Sequence, residues 1–160
     1  MKDINRVLAC LDLSDYSKMI VEFALEIVKG LQSEILLLNV INDKDIDAVK
    51  TLIPHFPGGF SVEKYIERIK AERHNTIQEM IDRHFAEAKN QMKILIHVGI
   101  PFDAILRAIE TENIDLVVIA SKGKSNLIGT LHGSNAEKVF RHSPVPVLSV
   151  RSRDKFGQNR

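Results

Sequence analysis

LVVIASKGKSNLIGTLHGSNAEKVFRHSPVPVLSV, residues Leu116 to Val150, decides how the rest of the chain is read. Leu116 to Ala120 is a continuous apolar run with β-branched residues at its centre, the pattern of a strand buried on both faces of a parallel sheet. A loop rich in small and polar residues follows, carrying Gly123, Gly129 and Gly133. Ser134-Asn135-Ala136-Glu137 has the capping-box pattern, so a helix is predicted to begin there. Backbone N–H groups without intrahelical partners point out of such a terminus, and the macrodipole adds partial positive charge. A strand, a glycine-bearing loop and a helix N-terminus in that order suit an anion, phosphate above all.

Upstream of this stretch the chain alternates. Arg6 to Leu11 (RVLACL) reads as a buried strand ending at Asp12, and Leu13-Ser14-Asp15 supplies turn and cap chemistry. Ile20, Phe23, Ala24, Ile27 and Val28 recur at helical spacing, and Gly30 is placed to end that helix. Glu34 to Val40 (EILLLNV) is a second buried strand, which makes a βαβ unit. Ile41 to Phe60 reads as an irregular segment, and Ser61 to about Lys89 as a long helix with a possible break near His74-Asn75. Lys93 to Val98 is a third strand. Pro101 fits the first turn of a helix that buries Phe102, Ile105, Leu106 and Ile109. Pro144 and Pro146 precede a last strand, Val147 to Val150, which proline confines to a sheet edge. Five strands alternating with four helices make the expected fold class α/β, a doubly wound, Rossmann-like parallel sheet with helices on both faces. Ligands of such sheets sit at the C-terminal ends of the strands, where strand order reverses.

Composition narrows the field. With 160 residues, one domain over 1–153 is expected, leaving 154–160 as a frayed tail. The formal net charge of +1, with acids and bases interspersed, is not the footprint of a general nucleic-acid binder. The single cysteine, Cys10, fits a reducing compartment. No apolar run approaches the ~20 residues of a spanning helix, so a soluble, cytoplasmic protein without membrane contact is expected.

Several motifs together resemble the universal stress protein family. Its C-terminal signature, G-x2-G-x9-G-[ST], has its counterpart in Ala120-x2-Gly123-x9-Gly133-Ser134, with alanine for the first glycine. The strand before Asp12-x-Ser14 is similar to the family's opening strand and its aspartate. Val40 matches a valine beside the adenine, Gly99-x-Pro101 the turn before the third helix, and Arg141 to Val147 the ending R-x-[AS]-P-x-P-V. The resemblance covers most of the chain; Ile41 to Lys89 matches only in kind.

The resemblance implies strand order 3-2-1-4-5 and an adenine nucleotide alpha hydrolase-like sheet. It implies a site for ATP or another adenine nucleotide, with or without Mg²⁺. The implied binding residues are Leu11, Asp12, Val40, Ile119, Ala120, Lys122, Gly123, Gly133, Ser134 and Asn135. It also implies a homodimer through Val147 to Val150, an edge whose unpaired backbone groups a second copy could satisfy.

Each residue also has a plainer account. Asp12 and Ser134 are explained as turn and cap residues, and the glycines as providers of positive φ. Gly123-Lys124-Ser125 is not a Walker site, because the required first glycine falls at Val118 inside a strand. Asp43, Asp45 and Asp47 lack the glycine and glutamate of a calcium loop. No catalytic base stands out. With the nucleotide site and the dimer that it implies, the resemblance points to a homodimeric stress-response sensor or switch. A scaffold of the same fold that binds no nucleotide, favoured by Ala120 and Ala136, and a weak nucleotide hydrolase are the alternatives.

Overall fold

The computed structural model describes residues 3–53, 58–59, 61–121 and 134–151. Strands β1 (Arg6–Cys10), β2 (Glu34–Asn42), β3 (Met92–Gly99), β4 (Leu116–Ala120) and β5 (Val147–Val150) form one parallel sheet. Their order is β3-β2-β1-β4-β5, the doubly wound arrangement that the resemblance implied, with β5 at an edge.

The period of two along the strands sorts side chains between two cores. Val7, Ala9, Leu11, Ile35, Leu37, Val118 and Ala120 pack with α1 (Tyr16–Val28) and α3 (Val62–His84). Leu8, Cys10, Leu36, Leu38, Val117 and Ile119 pack with α4 (Pro101–Thr111) and α5 (Ser134–His142). Burial on both faces is why these strands read as apolar runs rather than alternating ones. Each fully buried aliphatic side chain contributes about 1.5–3 kcal/mol. Gly30, just beyond α1, has φ +78°, the left-handed conformation that ends a helix and that glycine adopts without strain.

At the N-terminal ends of the strands, ion pairs close the sheet. Arg6 Nε lies 3.2 Å from Glu34 Oε2, and Lys93 Nζ lies 3.3 Å from Glu112 Oε2. The Arg6 guanidinium also donates to the Glu112 carbonyl at 2.8 Å, and Asp115 Oδ2 accepts from the Asn5 and Arg6 N–H groups.

The middle of the chain departs from the sequence reading. The segment expected to be irregular from Ile41 contains the end of β2 and a helix, α2 (Asp43–Leu52). Asn42 caps that helix, its side chain accepting from the Lys44 N–H at 3.1 Å, and Asp43 and Asp45 fall in the positive first turn. Asp47 lies further along it, 2.9 Å from Lys50. The long helix is shorter than expected and unbroken at His74. It begins after Ser61, whose hydroxyl accepts from the Lys64 N–H, and ends at His84, ahead of a 3₁₀ segment over Ala86–Gln91. Phe23, assigned to the buried stripe of α1, is 45% exposed, because the stripe runs through Ile20, Val21, Ala24 and Val28 instead.

Candidate functional site

The sheet opens at its C-terminal edge between β1 and β4. Their pairing ends with Cys10 opposite Ile119. Beyond that step each chain bonds away from the other: the Leu11 N–H donates to the Leu38 carbonyl at 2.8 Å, and the Ser121 N–H to the Val150 carbonyl at 3.0 Å. The covering helix changes face here too, since α1 covers one face after β1 and α5 the other after β4. These are the features of a topological switch point.

Backbone alternation decides what faces the opening. The N–H groups of Val117 and Ser121 serve β5, so by the two-residue period Ala120 presents its own backbone groups toward β1. Its methyl group is packed in the core under α1. Alanine in place of the signature glycine thus turns its Cβ out of the plane of the crevice. Ala136 is likewise buried, in the core under α4 and α5. Leu11 and Ile119 are buried behind the rim, and Asn135 is exposed in the first turn of α5. Lys122, Gly123 and Gly133 lie outside the described residues, as does the side chain of Ser134.

Asp12 is half-buried at the end of β1, and its Oδ1 accepts from the Ser14 N–H at 3.0 Å. The Ser14 hydroxyl accepts from the Tyr16 N–H at 3.3 Å, so the turn hands over directly to α1. Between them Leu13 has φ +59°, a conformation that costs a non-glycine residue about 1–3 kcal/mol. The turn is therefore held against local strain.

Val40 is half-buried at the end of β2, aligned with His97 of β3. Burial lowers the His97 pKa; Glu112 opposes that shift, while Lys70 and Arg107 add to it. The imidazole is accordingly neutral near pH 7. Behind the rim, burial pushes the Cys10 thiol up to about 12, which removes it from nucleophilic chemistry.

Two residues absent from the sequence reading complete this edge. Asn39 is 2% exposed, and its Nδ2 donates to the Leu11 carbonyl at 2.8 Å. Arg73 of α3 donates through Nη1 to Asn39 Oδ1 at 2.9 Å and to the Val40 carbonyl at 3.2 Å. The sequence signal was one amide inside the otherwise apolar run ILLLNVI.

Comparison with known proteins places this edge in context. A model of the universal stress protein family matches residues 3–151. Universal stress protein MJ0577 of Methanocaldococcus jannaschii is 31% identical over 151 residues, covering 88% of this chain and 93% of its own. A solved structure of MJ0577 superposes with a TM-score of 0.71 at 27% identity, covering 94% of this chain and 97% of that one. A universal stress protein crystallised in complex with cAMP gives 0.65 at 23% identity, covering 94% and 98% of the two chains. One from Arabidopsis thaliana with AMP bound gives 0.57 at 17% identity, covering 97% of each. At those last two identities the likeness is one of fold. Sequence match and architecture lead to one conclusion: the chain belongs to the universal stress protein family.

Proposed function

We propose that this protein binds an adenine nucleotide, ATP foremost, in the crevice between the ends of β1 and β4, and that a homodimer transmits the bound state. The observation that carries the proposal is the parting of hydrogen bonds beyond Cys10 and Ile119, where Leu11 turns to β2 and Ser121 to β5 beside Asp12. Family membership and the cAMP and AMP seen in two fold relatives support an adenine nucleotide as the occupant.

In this reading Val40 and Ile119 flank the base, and Asp12 and Gly123 take the ribose. The phosphates lie along Gly133, Ser134 and Asn135 at the N-terminus of α5, with Lys122 contributing charge. Such a site binds and orients. Its output is read across a dimer formed by β5. A scaffold that binds no nucleotide is the alternative; against it, the Ala120 methyl group packs in the core.

The test is to heat-denature freshly purified protein and identify any released nucleotide by chromatography and mass. Calorimetric titration with ATP and Mg²⁺ follows if the supernatant is empty. Released adenine nucleotide, or saturable binding lost in Gly133→Val, is the expected result. Neither release nor binding at millimolar ATP would end the proposal.

A further inference from the structure

At the rim of the crevice, one buried amide and one guanidinium tie three elements together. Asn39 sits on β2 with its side chain on the α3 side of the sheet. It donates to the Leu11 carbonyl at 2.8 Å and accepts from Arg73 at 2.9 Å. Arg73 adds a bond to the Val40 carbonyl at 3.2 Å. Both N–H groups of Nη1 are thereby used on the end of β2. The peptide Leu11–Asp12 is fixed on its carbonyl side by Asn39, and one residue later Asp12 Oδ1 holds the Ser14 N–H. The bonds form a continuous path from α3, through the ends of β2 and β1, to the first turn of α1.

The arrangement has a chemical reason. Carbonyl oxygens at the C-terminal ends of parallel strands carry partial negative charge. Left unpaired, those of Leu11 and Val40 would rotate toward any donor and carry the flanking residues with them. A buried amide bonded on both sides removes that freedom, and it costs little because both its polar ends are satisfied. The positive φ of Leu13 makes the restraint necessary, because a strained turn persists only where its surroundings over-determine it.

We propose that Asn39 and Arg73 are positioning residues for the nucleotide crevice, holding the Asp12 turn and the Val40 wall in binding geometry without touching the ligand. This rests on the nucleotide-binding reading above. The two are separable because the turn can be observed without any nucleotide.

The experiment uses the full chain and three variants, Asn39→Asp, Arg73→Met and Arg73→Lys. Asn39→Asp keeps an acceptor for Arg73 but replaces the donor to Leu11 with a carboxylate oxygen. Hydrogen exchange of the Ser14 and Tyr16 amides is measured without ligand, and affinities for ATP and adenosine by calorimetry. In Asn39→Asp both amides should exchange about tenfold faster, with the amides of Leu36 to Leu38 unchanged. Affinity for ATP and for adenosine should fall by the same factor, about tenfold. Arg73→Met should follow in the same direction, and Arg73→Lys should recover most of the loss. A loss confined to ATP would instead make Arg73 a phosphate contact and overturn the proposal. So would a lower melting temperature with unchanged exchange and affinity, which is a purely structural role. If the unaltered protein binds neither ligand, the nucleotide reading falls. The exchange rates then decide whether the pair positions the turn, unchanged rates overturning it.

Discussion

The Ser121 N–H and the Val150 carbonyl are joined at 3.0 Å, and the Val117 N–H and the Pro146 carbonyl likewise. These two bonds fix which backbone groups of β5 face inward. By alternation Leu148 also serves β4, whereas Val147 and Ser149 direct their N–H and carbonyl groups to the outside of the sheet. A twofold-related copy would have to pair there. Ser149→Pro removes one outward donor and spares the β4 ladder. Light scattering should then show monomer, with helical content retained. A Ser149→Pro protein that stays dimeric would refute pairing through this edge. Leu148 is the poorer site for this test, because its side chain packs into the core under α1 and its backbone belongs to the ladder.

Asp12 holds the Ser14 N–H, and substitution can separate that bond from the ligand contact proposed for it. Asp12→Asn keeps an oxygen for the Ser14 N–H, so its melting temperature should stay within a degree or two of the parent. Asp12→Ala loses the turn bond and should cost about 1 kcal/mol. Both should weaken ATP binding, the alanine variant by about tenfold or more if a charge-assisted contact is lost. Calorimetry beside thermal melts measures the two effects, and undiminished affinity in both variants would remove Asp12 from the site.

Ser17 is buried in the first turn of α1, and its hydroxyl has no hydrogen-bond partner among the described residues. An unsatisfied buried hydroxyl costs about 1 kcal/mol or more, and alanine is the better helix former. Ser17→Ala should therefore raise the melting temperature by roughly 2–4 °C. A fall of similar size would show that the hydroxyl is engaged.

The Cys10 thiol ties stability to alkaline pH. Its folded pKa, about 12, lies above the ordinary 9.0. Between these values the unfolded chain loses the proton and the folded chain keeps it, so stability falls as pH rises. The slope approaches about 1.4 kcal/mol per pH unit. Lysines and tyrosines titrate in the same range, so the useful quantity is the difference from Cys10→Ala. Parent and variant should converge in stability as pH is raised from 8 to 11. Parallel curves would contradict the assignment. Native protein at pH 8 should also resist thiol reagents until unfolded.

The parts of the fold that were legible in the sequence are those where one physical signal dominates. Apolar runs such as VLACL and LVVIA, short and bounded by turn residues, read as strands covered on both faces, and Gly30 and Pro101 punctuate helices for steric reasons. The strand order came from the family resemblance, and the switch point followed from it. The segment after Val40 was misread because its apolar periodicity is weak; α2 buries Ile46 alone. What specifies α2 is its cap: Asn42 with two aspartates behind it is a start signal that needs no apolar stripe. Asn39 and Arg73 were invisible for another reason. Their pairing joins residues 34 positions apart, and its meaning depends on β2 and α3 being side by side, which no local pattern states.

Asn39 and Val40 are consecutive, yet one points toward α3 and the other toward α4. The end of β2 is thus a hinge of reading frame. A single inserted or deleted residue between Glu34 and Asn39 would swap the faces of Asn39 and Val40, bringing the amide into the aliphatic core under α4 and an aliphatic side chain against Arg73. Length changes are ordinarily tolerated near strand ends. Here they would unseat the guanidinium, the Leu11 carbonyl and Val40 at once. A length change placed past Asn42 leaves this register intact.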